Sequence, residues 1–293
     1  MDTTQLQNHA ATKRLKQKDS AVGKWARRVV LVLVSILTVY PLVWMLSNSF
    51  KTASTIIHSP LNLVPEIYNF SNFGKALSMA PFDLYLFNSV FTAVVIVAIQ
   101  LVFSALLAYG LTFYTFPSKK LLFGAIIVTY MLPPAATYVP AYVILAKMQL
   151  LDTLSGIIIS NLASVFTIFL MVQTFSGIPK ELLEAAKLEG ATDTQVLFKV
   201  VIPFAKSTML TAGLINFVGM YNNYMWPSLI TTSQSKMLLS VGLNTFFTSR
   251  GNFAENLPGL MAANSMAVIP LLVLFVVLQK WFIKGISNSG IKG

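Results

Sequence analysis

The chain has 293 residues, of which 55% are hydrophobic and only 11% are charged. Soluble proteins have about 25% charged residues, so this composition excludes an ordinary soluble domain and indicates a polytopic membrane protein. The net charge of +11 does not indicate nucleic-acid binding, because the basic residues lie beside hydrophobic runs. The lack of cysteine excludes disulfides and thiolate metal sites, and the chain has only two histidines, His9 and His58.

The N-terminal part of the chain predicts a tail, one membrane span and a loop. Residues 1–24 are polar and basic, and we interpret them as a cytoplasmic tail without regular structure. Residues 29–50 form the first predicted span, and residues 51–83 form an extended extracytoplasmic loop. A cleaved signal peptide is the competing interpretation, but the basic region is long and further apolar runs follow. The predicted divisions are therefore 1–24, 25–83 and a core over 84–293.

Five further apolar runs are each long enough for a membrane helix. They cover residues 84–116, 121–146, 154–175, 204–230 and 257–281. The run 121–146 contains Pro133, Pro134 and Pro140, and prolines inside a span remove backbone hydrogen bonds. We expect a broken helix there, which either lines a path or only serves packing. Thr231 to Asn256 is predicted to be a polar loop.

The positions of the basic residues predict the orientation in the membrane. Of the 21 Lys and Arg residues, 16 lie in the tail, in the turn 117–120, in the polar segment 176–203 with its exit, and at the C-terminus. The opposite loops contain the other five. The pattern predicts an all-α membrane protein with six transmembrane helices and both termini in the cytoplasm.

The polar segment Ser176–Pro203, called the knob below, is predicted to fold into two short helices on the cytoplasmic side. Pro179 suits a first helical turn, and Gly190 suits the position of positive φ that follows a last turn. Thr192 and Gln195 predict a capping box that opens the second helix.

The second helix of the knob is expected to end at Val201, with a turn at Pro203 into the next span. Ala185 and Ala186 leave room for a partner surface, and Glu184 offers a carboxylate to a basic partner. An amphipathic hairpin resting on the lipid surface is the alternative interpretation. The residues predicted to make the partner contact are Glu184, Ala185, Ala186, Leu188, Gly190 and Pro203.

The knob sequence resembles the coupling loop of ABC importer permeases. It contains Glu-Ala-Ala, three residues and then Gly190, followed after nine residues by residues 200–203, Val-Val-Ile-Pro. The family pattern ends in Ile-x-Leu-Pro, so two positions carry close aliphatic substitutes. The resemblance implies a type I importer permease architecture, in which this coupling helix contacts an ATPase subunit.

A second group of polar and aromatic side chains lies inside an otherwise apolar run. Neutral amides in a membrane interior usually face protein or a water cavity, and amides beside flat rings suit hydroxyl-rich ligands. An interfacial aromatic belt is the alternative, which accounts for Tyr224 and Trp226 but not for the amides. The residues predicted to line a substrate path are Asn216, Tyr221, Asn222, Asn223, Tyr224 and Trp226.

Two further stretches resemble the carbohydrate class of ABC importer permeases. Residues 221–227 are similar to its Trp-Asn-Asp-Phe-Leu-Trp-Pro run, with Tyr221 in place of Trp and Asn223 in place of Asp. Residues 279–293 are similar to its C-terminal Gln-Arg-aromatic pattern and its Gly-x-Lys-Gly ending. The resemblance covers residues 25–293 and implies the shorter, six-span permease of the maltose-type class.

The chain has no GxxxxGK[ST] motif and no nucleophile–base constellation, so we predict that it is not an enzyme. The resemblance implies a second related permease, two ATPase subunits that bind ATP and Mg, and an extracytoplasmic solute-binding protein. The loop 231–257 is expected to reach into that binding protein. No cofactor, metal or nucleic acid is expected in this chain, and its location is a bacterial-type cytoplasmic membrane.

The predicted function is therefore import of an oligosaccharide or related glycan. A sugar phosphate or a polyol is an alternative solute. An ion-coupled carrier and a membrane scaffold are alternative functions. Ion-coupled carriers usually keep an ionisable group in the membrane interior, and residues 84–116, 121–146 and 207–235 contain no such carboxylate.

Overall fold

The computed structural model describes residues 21–249 and 253–289, and all regular structure in these ranges is helical. The predicted all-α fold is thus confirmed for this part of the chain. Most of the predicted tail, residues 1–20, and the C-terminal residues 290–293 lie outside the described residues.

The helices follow one another with short connections. They are α1 (Ala21–Asn48), α2 (Ala53–His58), α3 (Ser71–Met79), α4 (Phe82–Phe113), α5 (Lys119–Tyr130), α6 (Pro134–Lys147), α7 (Leu154–Ile159), α8 (Val165–Ser176), α9 (Lys180–Leu188), α10 (Asp193–Val196), α11 (Ile202–Tyr221), α12 (Met225–Ile230), α13 (Leu239–Ser249) and α14 (Phe253–Ser289). A π turn (Leu197–Val201) joins α10 to α11, and a 3-10 turn (Gln234–Lys236) precedes α13.

Four helical runs in the described ranges are long and apolar enough to cross a membrane: Gly23–Asn48, Phe82–Phe113, Asp193–Tyr221 and Asn256–Gln279. The pair α5–α6, bent by 102°, is a fifth candidate. The predicted break in this run is therefore confirmed. Pro134 occupies the first turn of α6, where a missing N–H leaves no hydrogen bond unmade.

Two apolar runs that were predicted to be continuous spans are interrupted. The run 154–175 divides into α7 and α8 with a break at residues 160–164. The run 204–230 divides into α11 and α12 with a break at residues 222–224. Neither break contains a proline, so the sequence of these runs gives no helix-breaking residue that would indicate the interruption.

The prediction that the second helix of the knob ends at Val201 was wrong. The helical run continues from α10 through the π turn into α11. In the π turn, the Ile202 N–H donates to the carbonyl of Leu197, five residues earlier. Because proline has no N–H to donate, this wider turn accommodates Pro203 without a break in the chain direction.

The prediction of a polar loop over residues 231–256 was also wrong in part, since α13 forms there. Leu239, Val241 and Phe246 of α13 join a buried cluster with Phe82 and Tyr85 of α4. Burial of these apolar side chains stabilises a helix in a stretch whose polar residues had favoured a loop. The loop 51–83 likewise contains α2 and α3.

Helix α4 lies at the centre of the bundle and packs against α8, α11 and α13. Helix α14 packs against α11 and α3, and it lies beside the last turns of α1. No residue in the apolar stretch of α1 is buried by the rest of the described chain.

The connection after α1 is fixed by a buried lysine. Lys51 is only 2% exposed and donates hydrogen bonds to the side chain of Asn48, at 2.9 Å, and to the carbonyl of Asn62. Asn72 donates to the carbonyls of Ser49 and Lys51, at 2.9 and 2.8 Å. Burial lowers the pKa of the Lys51 ammonium below its ordinary value.

Candidate functional site

The first helix of the knob, α9, ends in a Schellman motif. Gly190 has φ of +80°, its N–H donates to the carbonyl of Lys187, and the N–H of Ala191 donates to the carbonyl of Ala186, both at 3.0 Å. No atom lies within 4 Å of an added Cβ at Gly190, so backbone conformation and not crowding requires glycine. The predicted helix end at Gly190 is confirmed.

The second helix of the knob opens with the predicted capping box. The Thr192 hydroxyl accepts from the Gln195 N–H at 3.3 Å, and the Gln195 side chain accepts from the Thr192 N–H at 2.9 Å. Two local motifs therefore fix the angle between the halves of the knob.

The two sides of α9 differ in exposure. Leu183 and Ala186 are half-buried and pack against a cluster that includes Ile178. Glu184, Ala185 and Leu188 point outward, and Leu188 is 89% exposed. Of the two alanines in the predicted partner contact, Ala185 lies on the outer surface and Ala186 faces the chain itself.

Asp193 connects the knob to the end of α4. The Tyr114 hydroxyl donates to the Asp193 carboxylate at 2.6 Å, and the Tyr109 hydroxyl donates to the Asp193 carbonyl at 3.3 Å. Lys187 lies 3.5 Å from the same carboxylate. Sequence reasoning missed Asp193, because its tyrosine partners lie about 80 residues earlier in the chain.

The exit from the knob exposes apolar side chains. Phe198 in the π turn is 57% exposed and Phe204 is 50% exposed, while Pro203 between them is also on the surface. Large exposed apolar side chains next to a charged segment are typical of surfaces that contact protein or membrane.

Three residues of the predicted substrate path are buried between helices, namely Asn216, Tyr221 and Trp226. Asn216 is 8% exposed and donates to Gln100 of α4 and Thr167 of α8, both at 2.8 Å. The Tyr221 hydroxyl donates to the carbonyl of Ala267 in α14 at 2.7 Å. Gln100 and Thr167 are residues that the sequence analysis did not identify.

Trp226 joins three interrupted spans. Its indole N–H donates to the hydroxyl of Ser160, at the break after α7, at 2.7 Å. Its ring stacks on Tyr138 of α6 with centroids 5.5 Å apart. The breaks at 160–164 and 222–224 therefore lie close together, and α6 packs beside them. Unpaired backbone groups at such breaks are tolerated in a membrane protein where they face protein or a cavity.

The remaining three residues lie at the break between α11 and α12. Asn222 and Tyr224 are exposed and Asn223 is half-buried. The Asn222 amide donates within its own helix to Val218, at 3.0 Å, and the Tyr224 hydroxyl donates to Asn244 at 3.1 Å. The structure therefore divides the predicted set into an exposed group and a group that holds helices together.

Asp152 fixes the segment after α12 to the connection before α7. Its carboxylate accepts from the N–H groups of Thr232 and Ser233, each at 2.9 Å, and from the Ser233 hydroxyl. The hydrogen bonds from Ser233 hold the pKa of the Asp152 carboxyl below its ordinary value. In the described ranges, no group of three or more His, Cys, Asp or Glu side chains forms a metal site.

Interrupted spans around a central helix, together with a polar knob continuous with one span, are features of a multi-pass membrane protein. A family model described as "Binding-protein-dependent transport system inner membrane component" matches residues 100–288. The chain belongs to this family and is a multi-pass membrane protein.

Similar proteins agree with this assignment. The chain is 27% identical over 282 residues to the arabinooligosaccharides transport system permease protein AraQ of Halalkalibacterium halodurans, covering 95% of this chain and 100% of that protein. It is 30% identical to the sn-glycerol-3-phosphate transport system permease protein UgpE of Yersinia enterocolitica, covering 89% of this chain and 95% of UgpE.

A solved structure has the same fold. It is described as a bacterial ABC transporter involved in the import of the acidic polysaccharide alginate. The TM-score is 0.81 at 26% sequence identity, and the match covers 91% of this chain and 98% of that chain.

Proposed function

We propose that this chain is a transmembrane subunit of an ATP-driven importer that moves an oligosaccharide or related glycan across the cytoplasmic membrane. Its partners are a second permease, two ATPase subunits that bind ATP and Mg, and an extracytoplasmic solute-binding protein. The chain itself hydrolyses no nucleotide. Similarity to an arabinooligosaccharide permease and to a chain of an ABC transporter involved in alginate import supports the carbohydrate class.

The observation that carries this proposal is the construction of the knob. A Schellman motif and a capping box fix its two helices, and its outer side presents Glu184, Ala185 and Leu188. A small side chain beside a carboxylate and an exposed leucine suits a close contact that is both apolar and charged. The knob fits a cleft on an ATPase subunit, which moves it when ATP is bound.

The six-span topology is part of the proposal. The spans are α1, α4, the bent pair α5–α6, the pair α7–α8, the run from α10 to α12, and α14. Both termini and the knob then lie in the cytoplasm. Because the natural sequence has no cysteine, single introduced cysteines test this directly by labelling from each side of the membrane. Labelling of a cysteine at Leu188 from the outside would contradict the topology.

For the substrate path, we propose contacts from Asn222, Asn223 and Tyr224. They are the exposed or half-exposed members of the predicted set, and they lie where a membrane helix is interrupted. Asn216, Tyr221 and Trp226 act on the same path by holding the surrounding helices.

The coupling role is tested by Glu184→Lys in the reconstituted complex. Reversal of the charge places an ammonium against a basic partner group, so we expect ATP-driven uptake to fall at least about tenfold. Glu66→Lys is the matched control, because Glu66 is an exposed carboxylate in the loop after α1. Normal uptake by Glu184→Lys at normal assembly would refute the coupling role.

A sugar phosphate or polyol is the second candidate solute, favoured by the similarity to a glycerol-3-phosphate permease. A ligand screen on the co-purifying binding protein distinguishes these solutes from a neutral glycan. Uptake by the purified chain alone, driven by an ion gradient, would instead identify a secondary carrier.

A further inference from the structure

The break between α7 and α8 depends on hydrogen bonds from other helices. Interrupted helices leave carbonyl and N–H groups without intrahelical partners, and within a membrane these groups need partners from the protein. Gln100 of α4 donates from its amide to the carbonyl of Asn161 at 2.7 Å. On the other side of the break, the Ser164 hydroxyl accepts from the N–H of Thr167 at 3.3 Å.

Asn216 of α11 closes this arrangement. Its side-chain amide donates both hydrogens, one to the Gln100 carbonyl oxygen and one to the Thr167 hydroxyl. The Thr167 hydroxyl in turn donates to Ser164 at 2.9 Å. We call this connected group the amide lock. Its members are Gln100, Asn161, Ser164, Thr167 and Asn216.

Three members of the lock are buried, and Asn161 and Ser164 at the break are half-buried. Gln100 is 3% exposed, Thr167 is 0% exposed and Asn216 is 8% exposed. A buried polar group that loses its partner is costly, so this network favours discrete arrangements over gradual distortion. Movement of α11 relative to α4 and α8 must therefore either carry the break along or exchange these hydrogen bonds.

Asn216 and the knob lie on the same helical run. The run Asp193–Tyr221 is continuous, and Asn216 lies 23 positions after its first residue. At about 1.5 Å per residue, this is about 35 Å of helix. A continuous helix transmits displacement along its axis, so a knob that is moved by a partner moves Asn216 as well.

We propose that the amide lock transmits the movement of the knob to the interrupted span α7–α8. Gln100, Thr167 and Asn216 are then positioning residues for transport, because they hold and release the helix ends at the break. This inference rests on the proposed function, since it requires an ATP-driven movement of the knob. It assigns Asn216 an effect on coupling that does not depend on contact with the solute.

The test is Thr167→Val in the reconstituted complex, because valine keeps the shape and removes the hydroxyl. We expect ATP hydrolysis to continue while the amount of solute moved per ATP falls about threefold to tenfold. Thr167→Ser restores the hydroxyl and is expected to restore the ratio. The KM for the solute should stay within about twofold of the natural value, since no binding contact is lost.

Thr174→Val is the matched control. Thr174 donates to Thr208 at 3.0 Å and so also joins α8 to α11, but at a position away from the break. We expect its solute-to-ATP ratio to stay within about 1.5-fold of the natural value. If Thr167→Val does not assemble, Gln100→Met provides the same comparison.

Three results would overturn the inference. The first is a solute-to-ATP ratio in Thr167→Val that equals the wild-type ratio. The second is an equal loss of that ratio in Thr167→Val and Thr174→Val, which indicates general loosening of the two helices. The third is a raised KM with an unchanged ratio, which assigns these residues to solute binding. A natural complex without ATP-driven uptake refutes the proposed function itself, and with it this inference.

Discussion

The knob and the membrane interior of this chain are built by contacts of different range. In the knob, the Schellman motif and the capping box join residues at most five positions apart. In the amide lock, Asn216 bonds to residues 49 and 116 positions away. The angle between the two helices of the knob is therefore set by local sequence, while Asp193 attaches the knob to the end of α4. The amide lock takes its shape from the packing of the whole bundle.

This difference has an energetic side. A local motif costs little chain entropy to form, whereas the interior contacts form only when three helices have already been brought together. The knob can keep its shape while it moves as a unit. The interior network can change its partners only together with the bundle. A transporter that is driven by a partner needs both properties, a rigid contact segment and an interior whose hydrogen bonds can rearrange.

The largest effect on stability is expected at a glycine against which a residue distant in sequence is packed. An added Cβ at Gly242 would lie 2.2 Å from the ring of Tyr85, which is itself 2% exposed. We expect Gly242→Ala to lower the free energy of unfolding by about 3 kcal/mol. This loss of stability is detected as a lower melting temperature in detergent. Gly124→Ala is the control, because no atom lies within 4 Å of its added Cβ. Equal melting temperatures for the two variants would contradict the expected clash.

A smaller effect is expected where a glycine is required only by its own backbone. Gly190→Val places a β-branched residue at φ of +80°, which costs about 1–2 kcal/mol. We expect ATP-driven uptake to fall about tenfold at normal membrane insertion, because the angle of the knob changes. Gly190→Asn is the control, since asparagine tolerates this conformation better. A Gly190→Val complex with full uptake would show that the angle is unimportant.

The smallest effect is expected at Asp152. Its pKa is lowered in the folded chain, so its hydrogen bonds add stability above the ordinary carboxyl pKa of about 3.9, and this contribution is lost as the pH falls through the lower folded value. Asp152→Asn is expected to cost under about 1 kcal/mol at pH 7, because the site is solvent-accessible. The difference in melting temperature from the natural protein should shrink towards pH 3. A difference that stays constant from pH 7 to pH 3 would exclude the ionised carboxylate as its source.

These contrasts explain what the sequence could predict. Gly190, Thr192 and Gln195 were identified correctly because each acts on neighbouring backbone, and the prolines of the bent pair α5–α6 were informative for the same reason. The breaks at 160–164 and 222–224 were missed, since backbone carbonyls there accept hydrogen bonds from other helices, that of Asn161 from Gln100 and that of Asn223 from Ser240.

Side-chain roles in the interior show the same limit. The polar residues of the stretch 216–226 were recognised as unusual, but the sequence did not indicate which of them are buried. Asn216 and Tyr224 have similar polarity, yet one bonds to two neighbouring helices and the other lies at the surface of a helix break. Tertiary contacts alone make that distinction.

The π turn at Leu197–Val201 sets the rotation of the Asn216 end of the helical run Asp193–Tyr221 relative to its knob end. A π turn contains one residue more than the corresponding α-helical turn, and each residue in an α-helix rotates the following side chains by about 100°. Deletion of a single residue there would leave both ends folded, but it would rotate Asn216 about the helix axis by about 100°, away from Gln100. One inserted residue thus determines which face of the helix meets its neighbours.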